Sequence, residues 1–152
     1  MKKSIFILMA SILSLTFCGS PVYGQLVGAI QGGVPVITVD QQSLVSTYNA
    51  NLLNLSGIDG QFTSVNLVIS NEAGVDFYLV FNGPIYKSSL PANLDSDGVS
   101  IIAIGTMSCT TSECSSEDSG CVPRGNGLSC TPCANKGTCT KTVSSNSMIE
   151  EM

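Results

Sequence analysis

The chain has 152 residues, 43% of them hydrophobic and only 11% charged, with 7 cysteines, no histidine, no tryptophan and a formal net charge of −5. The missing histidine excludes serine–histidine catalysis, histidine metal sites and imidazole pH switching. With 6 basic side chains against 11 acidic ones, the protein is a poor match for a phosphate backbone, so nucleic acid is not an expected partner.

The chain opens with Lys2 and Lys3, followed by an apolar run over residues 5–17. Pro21 then breaks any helix, and Val22, Tyr23 and Gly24 lead to Gln25. A positive start, a short apolar run and a small residue before the cut are the layout of a secretory signal peptide over residues 1–24, too short to span a bilayer. Losing Lys2 and Lys3 leaves four basic side chains against eleven acidic ones, a formal −7. Within this segment "LTFCG" resembles the lipobox of bacterial lipoproteins, with Phe17 where that motif has a small residue. The resemblance implies an alternative start at a lipid-bearing Cys18, and hence an envelope lipoprotein. Either route predicts an extracytoplasmic protein, secreted, periplasmic or anchored at the outer membrane, with no transmembrane segment after processing.

Residues 25–107 read as a core-forming domain. The run "VPVITV" at 34–39 is short and β-branched, which predicts a strand with Pro35 near its start. Asp40 then caps a helix running to about Asn54. Leu44, Val45, Tyr48, Leu52 and Leu55 fall on one face, and Gly57 supplies the stop. Alternation predicts strands at 62–70 and 75–81, joined tightly by "NEAG" into an antiparallel hairpin. It makes Asp76 a solvent-facing strand residue. A polar connection follows, and "GVSIIAIGT" at 98–106 supplies the last strand. The expected fold is α+β, one helix packed on a mainly antiparallel sheet in the order β-α-β-β-β.

Near Ser108 the composition turns to Ser, Thr, Gly, Cys and Pro. Residues 108–142 cannot bury a hydrophobic core of their own. They hold Cys109, Cys114, Cys121, Cys130, Cys133 and Cys139, spaced C-x4-C-x6-C-x8-C-x2-C-x5-C, while Cys18 leaves with the signal or carries lipid. An even set in an exported, core-poor stretch predicts three disulfides holding a tail with little regular structure, with every pairing open. Glu113, Glu117 and Asp118 read as an exposed charge cluster that keeps this tail soluble. Residues 143–152 lack a pattern and are expected to fray.

Three resemblances bear on the tail and its neighbourhood. "CTPC" at 130–133 resembles the C-x-P-C of thioredoxin-like oxidoreductases, but turn-forming "ANKG" follows in place of a helix. Residues 132–140 resemble part of an EGF-like module, matching at Asn135 and Gly137. "NLDSDG" at 93–98 resembles the first half of an EF-hand loop, yet Ile104 stands where the bidentate glutamate belongs, which favours a plain turn. More broadly, the chain after Gln25 resembles small exported bacterial proteins of uncharacterised function. They share a strand–helix–three-strand domain, a "YLV" strand (Tyr78 to Val80 here) and a Cys/Gly tail ending "CTKT". That resemblance implies export and a shared fold, and no known activity.

The expectation is therefore a non-enzymatic exported protein without cofactor or bound metal. Its disulfide-held tail serves interaction with a protein or surface partner. Arg124, on the loop between Cys121 and Cys130, is the candidate contact residue, and a protease-inhibitor loop is one version of that role. The competing class uses the tail cysteines for metal binding or thiol redox chemistry.

Overall fold

A computed structural model describes residues 24–150. The expected signal peptide and Cys18 lie outside them. The elements are β1 (Gln25–Gln31), β2 (Val34–Ile37), α1 (Gln41–Ser56), β3 (Ser64–Ile69), β4 (Phe77–Asn82), β5 (Lys87–Leu94), β6 (Ser100–Ala103), β7 (Met107–Thr111) and β8 (Thr140–Val143). The class is α+β, with one helix against a mainly antiparallel sheet. The strand sequence differs from β-α-β-β-β: β1, β5, β7 and β8 were not expected.

α1 begins where Asp40 accepts a hydrogen bond from the Ser43 N–H at 2.6 Å. It stops at Gly57, which takes the left-handed conformation at φ 72° and returns its N–H to the Leu53 carbonyl. Leu44, Val45, Tyr48 and Leu52 are buried as expected. Leu55 is exposed, and the buried polar Asn51 takes the corresponding place on the inner face.

The sheet runs β2-β1-β6-β5-β4-β3, with β7 on β5 and β8 on β7. It curls into a nearly closed barrel, bringing β2 and β3 together. At Gly28 of β1 a Cβ would sit 2.4 Å from the Val36 carbonyl oxygen and 3.3 Å from a Leu67 methyl, so the close approach needs glycine. The core inside the curl joins Val27, Leu44, Tyr48, Leu52, Val65, Leu79, Phe81, Leu90 and Ile101. Tyr48 stacks on Phe81 with ring centroids 3.9 Å apart, and Phe62 tilts against both.

β5 organises the sheet. One edge pairs with β4 along its length. The other pairs first with β7, through Lys87, Ser88 and Ser89, and then with β6, through Ala92, Asn93 and Leu94. Pro91 sits where the partner changes, and its carbonyl accepts from Ile104 N–H in the turn between β6 and β7. N–H and C=O of one strand residue point the same way, so the missing proline N–H falls in that gap, where no ladder bond is due.

Of the stretch 143–152 that was expected to fray, the described part, up to residue 150, is tied to the domain. Met148 and Ile149 are buried in the main core. Asn51 donates to the carbonyls of Met148 and Glu150 at 3.0 Å each, and Met148 N–H bonds to Gly105 O. At Gly105 a Cβ would lie 2.2 Å from Ser147 Oγ, so the strap lies directly on that turn.

Candidate functional site: the cystine cap and its hairpin

The six described cysteines form Cys109–Cys130, Cys114–Cys133 and Cys121–Cys139. The first cysteine pairs with the fourth, the second with the fifth and the third with the sixth. The Cys139 sulfur lies within 4.8 Å of the sulfurs of Cys109 and Cys130, and that of Cys121 within 4.8 Å of those of Cys114 and Cys133. The third bridge therefore lies between the other two. With Met107 the sulfurs form a small core of their own. Bridges thus supply the apolar interior that the composition of the tail lacks. Cys130 and Cys133 belong to different bridges, so "CTPC" is not a dithiol couple, and the six sulfurs are joined in three bonds, one within each group of three and one between them.

The tail is also more regular than expected. β7 crosses the expected boundary at 107/108 and joins tail to domain through β5, while β8 returns along β7. The cap lies against the outer face of β4, where Val122 packs with Val75, Tyr78 and Val80. Ser89 Oγ donates to Ser119 O at 2.7 Å, and the Lys87 ammonium donates to the Glu117 carbonyl.

Of the three acidic residues of the cap, Asp118 is exposed as expected, while the carboxylates of Glu113 and Glu117 are engaged. The Glu113 carboxylate accepts from Thr138 N–H at 2.6 Å and from Thr138 Oγ1 at 2.9 Å, which holds its pKa below the usual glutamate value. Glu117 accepts from Ala134 N–H at 3.0 Å. Both carboxylates pin the loop that carries Cys133 and Cys139. Nothing in the sequence marked these pairings, because they join residues 17 and 25 positions apart.

Residues 122–131 form a tight hairpin between the bridges. Thr131 N–H bonds to Val122 O at 2.8 Å, Val122 N–H bonds to Thr131 Oγ1 at 3.0 Å, and Pro123 faces Cys130. Below, the buried Tyr78 hydroxyl donates to Pro123 O at 2.7 Å. Burial raises the Tyr78 pKa, which keeps this donor protonated. To one side, Lys141 Nζ donates to Leu128 O. The base is fixed from several directions, while every residue from Arg124 to Ser129 is exposed, Leu128 at 72%.

Arg124 N–H donates to Ser129 O at 2.9 Å, and Arg124 O accepts from Gly127 N–H at 2.8 Å. Both backbone groups of Arg124 are thus satisfied inside the hairpin, and only the guanidinium is offered outward. An inhibitor loop must leave the backbone of its contact residue free to pair with the protease, so the inhibitor version of this loop does not fit these bonds.

Two other stretches resolve as structure. Asp97 is the cap of the β5–β6 turn, accepting from Val99 N–H, Ser100 N–H and Ser100 Oγ. These bonds, led by that of the Ser100 hydroxyl, hold its pKa low and occupy the oxygens a cation would need. Asp76 precedes β4 and accepts from Leu94 N–H at 2.9 Å, closing the end of the β4–β5 pair. A recess of about 610 Å³ lies between α1 and the start of β3, lined by Gln41, Gln42, Ser46 and Thr63 over Val45 and Phe62. It contains no charged group. No helix among the described residues is long and apolar enough to cross a membrane. Compared with protein families, curated proteins and solved structures, the chain matches none.

Proposed function

We propose that this is an exported, non-enzymatic binding protein whose cystine cap presents the 122–131 hairpin to a protein partner. One observation carries the reading: the hairpin is fixed at its base by two bridges, by Tyr78 and by the Val122 contact, while Arg124 and Leu128 stand free at its tip. An exposed arginine beside an exposed leucine on a rigid support is the composition of a protein–protein anchor, and ordering the loop beforehand lowers the entropy lost on binding. Three bridges support a working compartment outside a reducing cytosol. The motive for a non-enzymatic role is that the lowered carboxylates, Asp97 and Glu113, are spent on turns, and that the chain has no histidine base.

The oxidised state is tested by intact mass after alkylation. No uptake is expected without reductant and six labels with it; six labels without reductant would defeat the cap as drawn. The binding role is tested by capture from envelope and secreted fractions on the immobilised protein, in parallel with Arg124→Ala/Leu128→Ala. A partner held by the wild type and lost by an equally folded double variant is expected. Equal capture by both defeats the role given to the hairpin.

A further inference from the structure

We propose that the Arg124–Gly125 peptide bond is a processing site for an endoproteinase with a carboxylate in its specificity pocket, and that cleavage yields a two-chain protein held together by its own cystines. The proposal concerns the regulation of the same hairpin and rests on the binding reading only for its consequence.

Arg124 is the sole arginine of the chain. Its guanidinium is exposed at a loop tip, the kind of position where native proteins are nicked, and its planar fork matches a buried carboxylate. The described lysines are placed differently. Lys87 lies in β5 between β4 and β7, with its ammonium on the carbonyls of Glu117 and Asp118. Lys136 has φ 64°, far from the extended form a protease requires. Lys141 lies inside β8, opposite Cys109, with its ammonium on Leu128 O.

The turn around Arg124 is closed by two hydrogen bonds, from Arg124 N–H to Ser129 O and from Gly127 N–H to Arg124 O. An inhibitor has to rest with that backbone free, whereas a substrate has only to free it when the turn opens, so this geometry selects a substrate. Gly125 lies against the Ala73 carbonyl, where a Cβ would come within 1.8 Å, so the opening also lifts the tip off the 71–74 turn, and Gly127 at φ 65°, with open space around it, supplies the freedom for that movement. Hydrolysis adds the oxygen of water to the Arg124 carbonyl carbon and breaks its bond to the Gly125 nitrogen, which leaves as an amine. Neither product can depart. The Arg124 side stays tied through Cys121–Cys139 and the Gly125 side through Cys109–Cys130. The severed stretch is exposed and contributes nothing to either core. The new carboxylate beside the guanidinium, and the loss of the turn, would end the preformed contact.

The test treats the oxidised secreted protein with trypsin under native conditions and reads intact mass before and after reduction. Expected are the gain of one water without reductant, two fragments meeting at Arg124/Gly125 after reduction, and loss of this cleavage in Arg124→Gln. First cleavage after a lysine, separation of the fragments without reductant, stoichiometric trypsin inhibition with the bond intact, or no cleavage at a dose that digests the reduced chain would each overturn the proposal. Partner capture is scored on uncleaved and nicked protein separately. A failed cleavage leaves the binding reading standing, and a failed capture leaves the cleavage result standing.

Discussion

The hydroxyls of Tyr48 and Ser88 meet 2.6 Å apart in the buried interior, and Ser88 passes the contact on to Thr110 Oγ1, also at 2.6 Å. This short chain ties α1 to β5 and β5 to β7, so it links the helix to the root of the cap. Tyr48→Phe removes one end while leaving Ser88 its bond to Thr110, and should cost about 1–2 kcal/mol in urea unfolding. An unchanged midpoint would show that the hydroxyl chain does not couple the layers.

The same phenol sets an alkaline limit. Burial raises the Tyr48 pKa above 10.0 against the smaller opposing effect of its hydroxyl partners. The folded state then holds its proton more tightly than the unfolded one. Stability is full below pH 10 and falls as pH rises above it, because the unfolded chain ionises first. Tyr48→Phe should flatten this decline. A wild-type profile equal to that of the variant above pH 10 would contradict the placement.

An acid limit belongs to the cap. The Glu113 pKa is lowered by the bonds from Thr138, so its clamp is present above the ordinary glutamate value of 4.5 and is lost as pH falls through the lowered one. Exchange of the Thr138 amide should accelerate below that point in the wild type and be fast at all pH values in Glu113→Gln. Equal protection in both proteins would remove the clamp from the account.

The bridges differ little in loop length, with cysteines 21, 19 and 18 positions apart. Replacing Cys114 and Cys133 together by serine should cost about 3 kcal/mol through the freer unfolded chain alone. The other bridges should still form, and peptide mapping under non-reducing conditions checks both points. A scrambled pairing in the variant would mean that the second bridge directs the others.

The strap offers the largest single-residue effect. Met148→Ala leaves a hole in a core where Met148 is fully buried, and should destabilise by about 2–5 kcal/mol. A cost of a few tenths of a kcal/mol, as at a surface site, would return the C-terminus to the frayed end that its composition suggests.

Which parts were legible follows from where the ordering forces come from. α1 could be read because Asp40, Gly57 and the apolar face at Leu44, Tyr48 and Leu52 are local signals. The β3–β4 hairpin could be read from alternation. β5 could not, because it buries Ser88 through distant hydroxyl partners and Ser89 through a distant carbonyl, and places Pro91 at a change of neighbour. β7 was hidden for a related reason: Met107 and Cys109 on one side of it rest on sulfur, not on an alternating apolar row, and β8 is placed only by its pairing with β7. At the site, the loop holding Arg124 was visible between two cysteines. Its turn, the pairing of the bridges and the use of Glu113 and Glu117 depend on contacts that no short window contains.

The position of Met148 and Ile149 has a consequence for the order in which the fold can close. Asn51 and Met148 stand 97 positions apart and meet across the interior. The inner face of α1 therefore cannot complete its contacts until the segment beyond β8 has arrived, and the first helix and the last core residues close the molecule together.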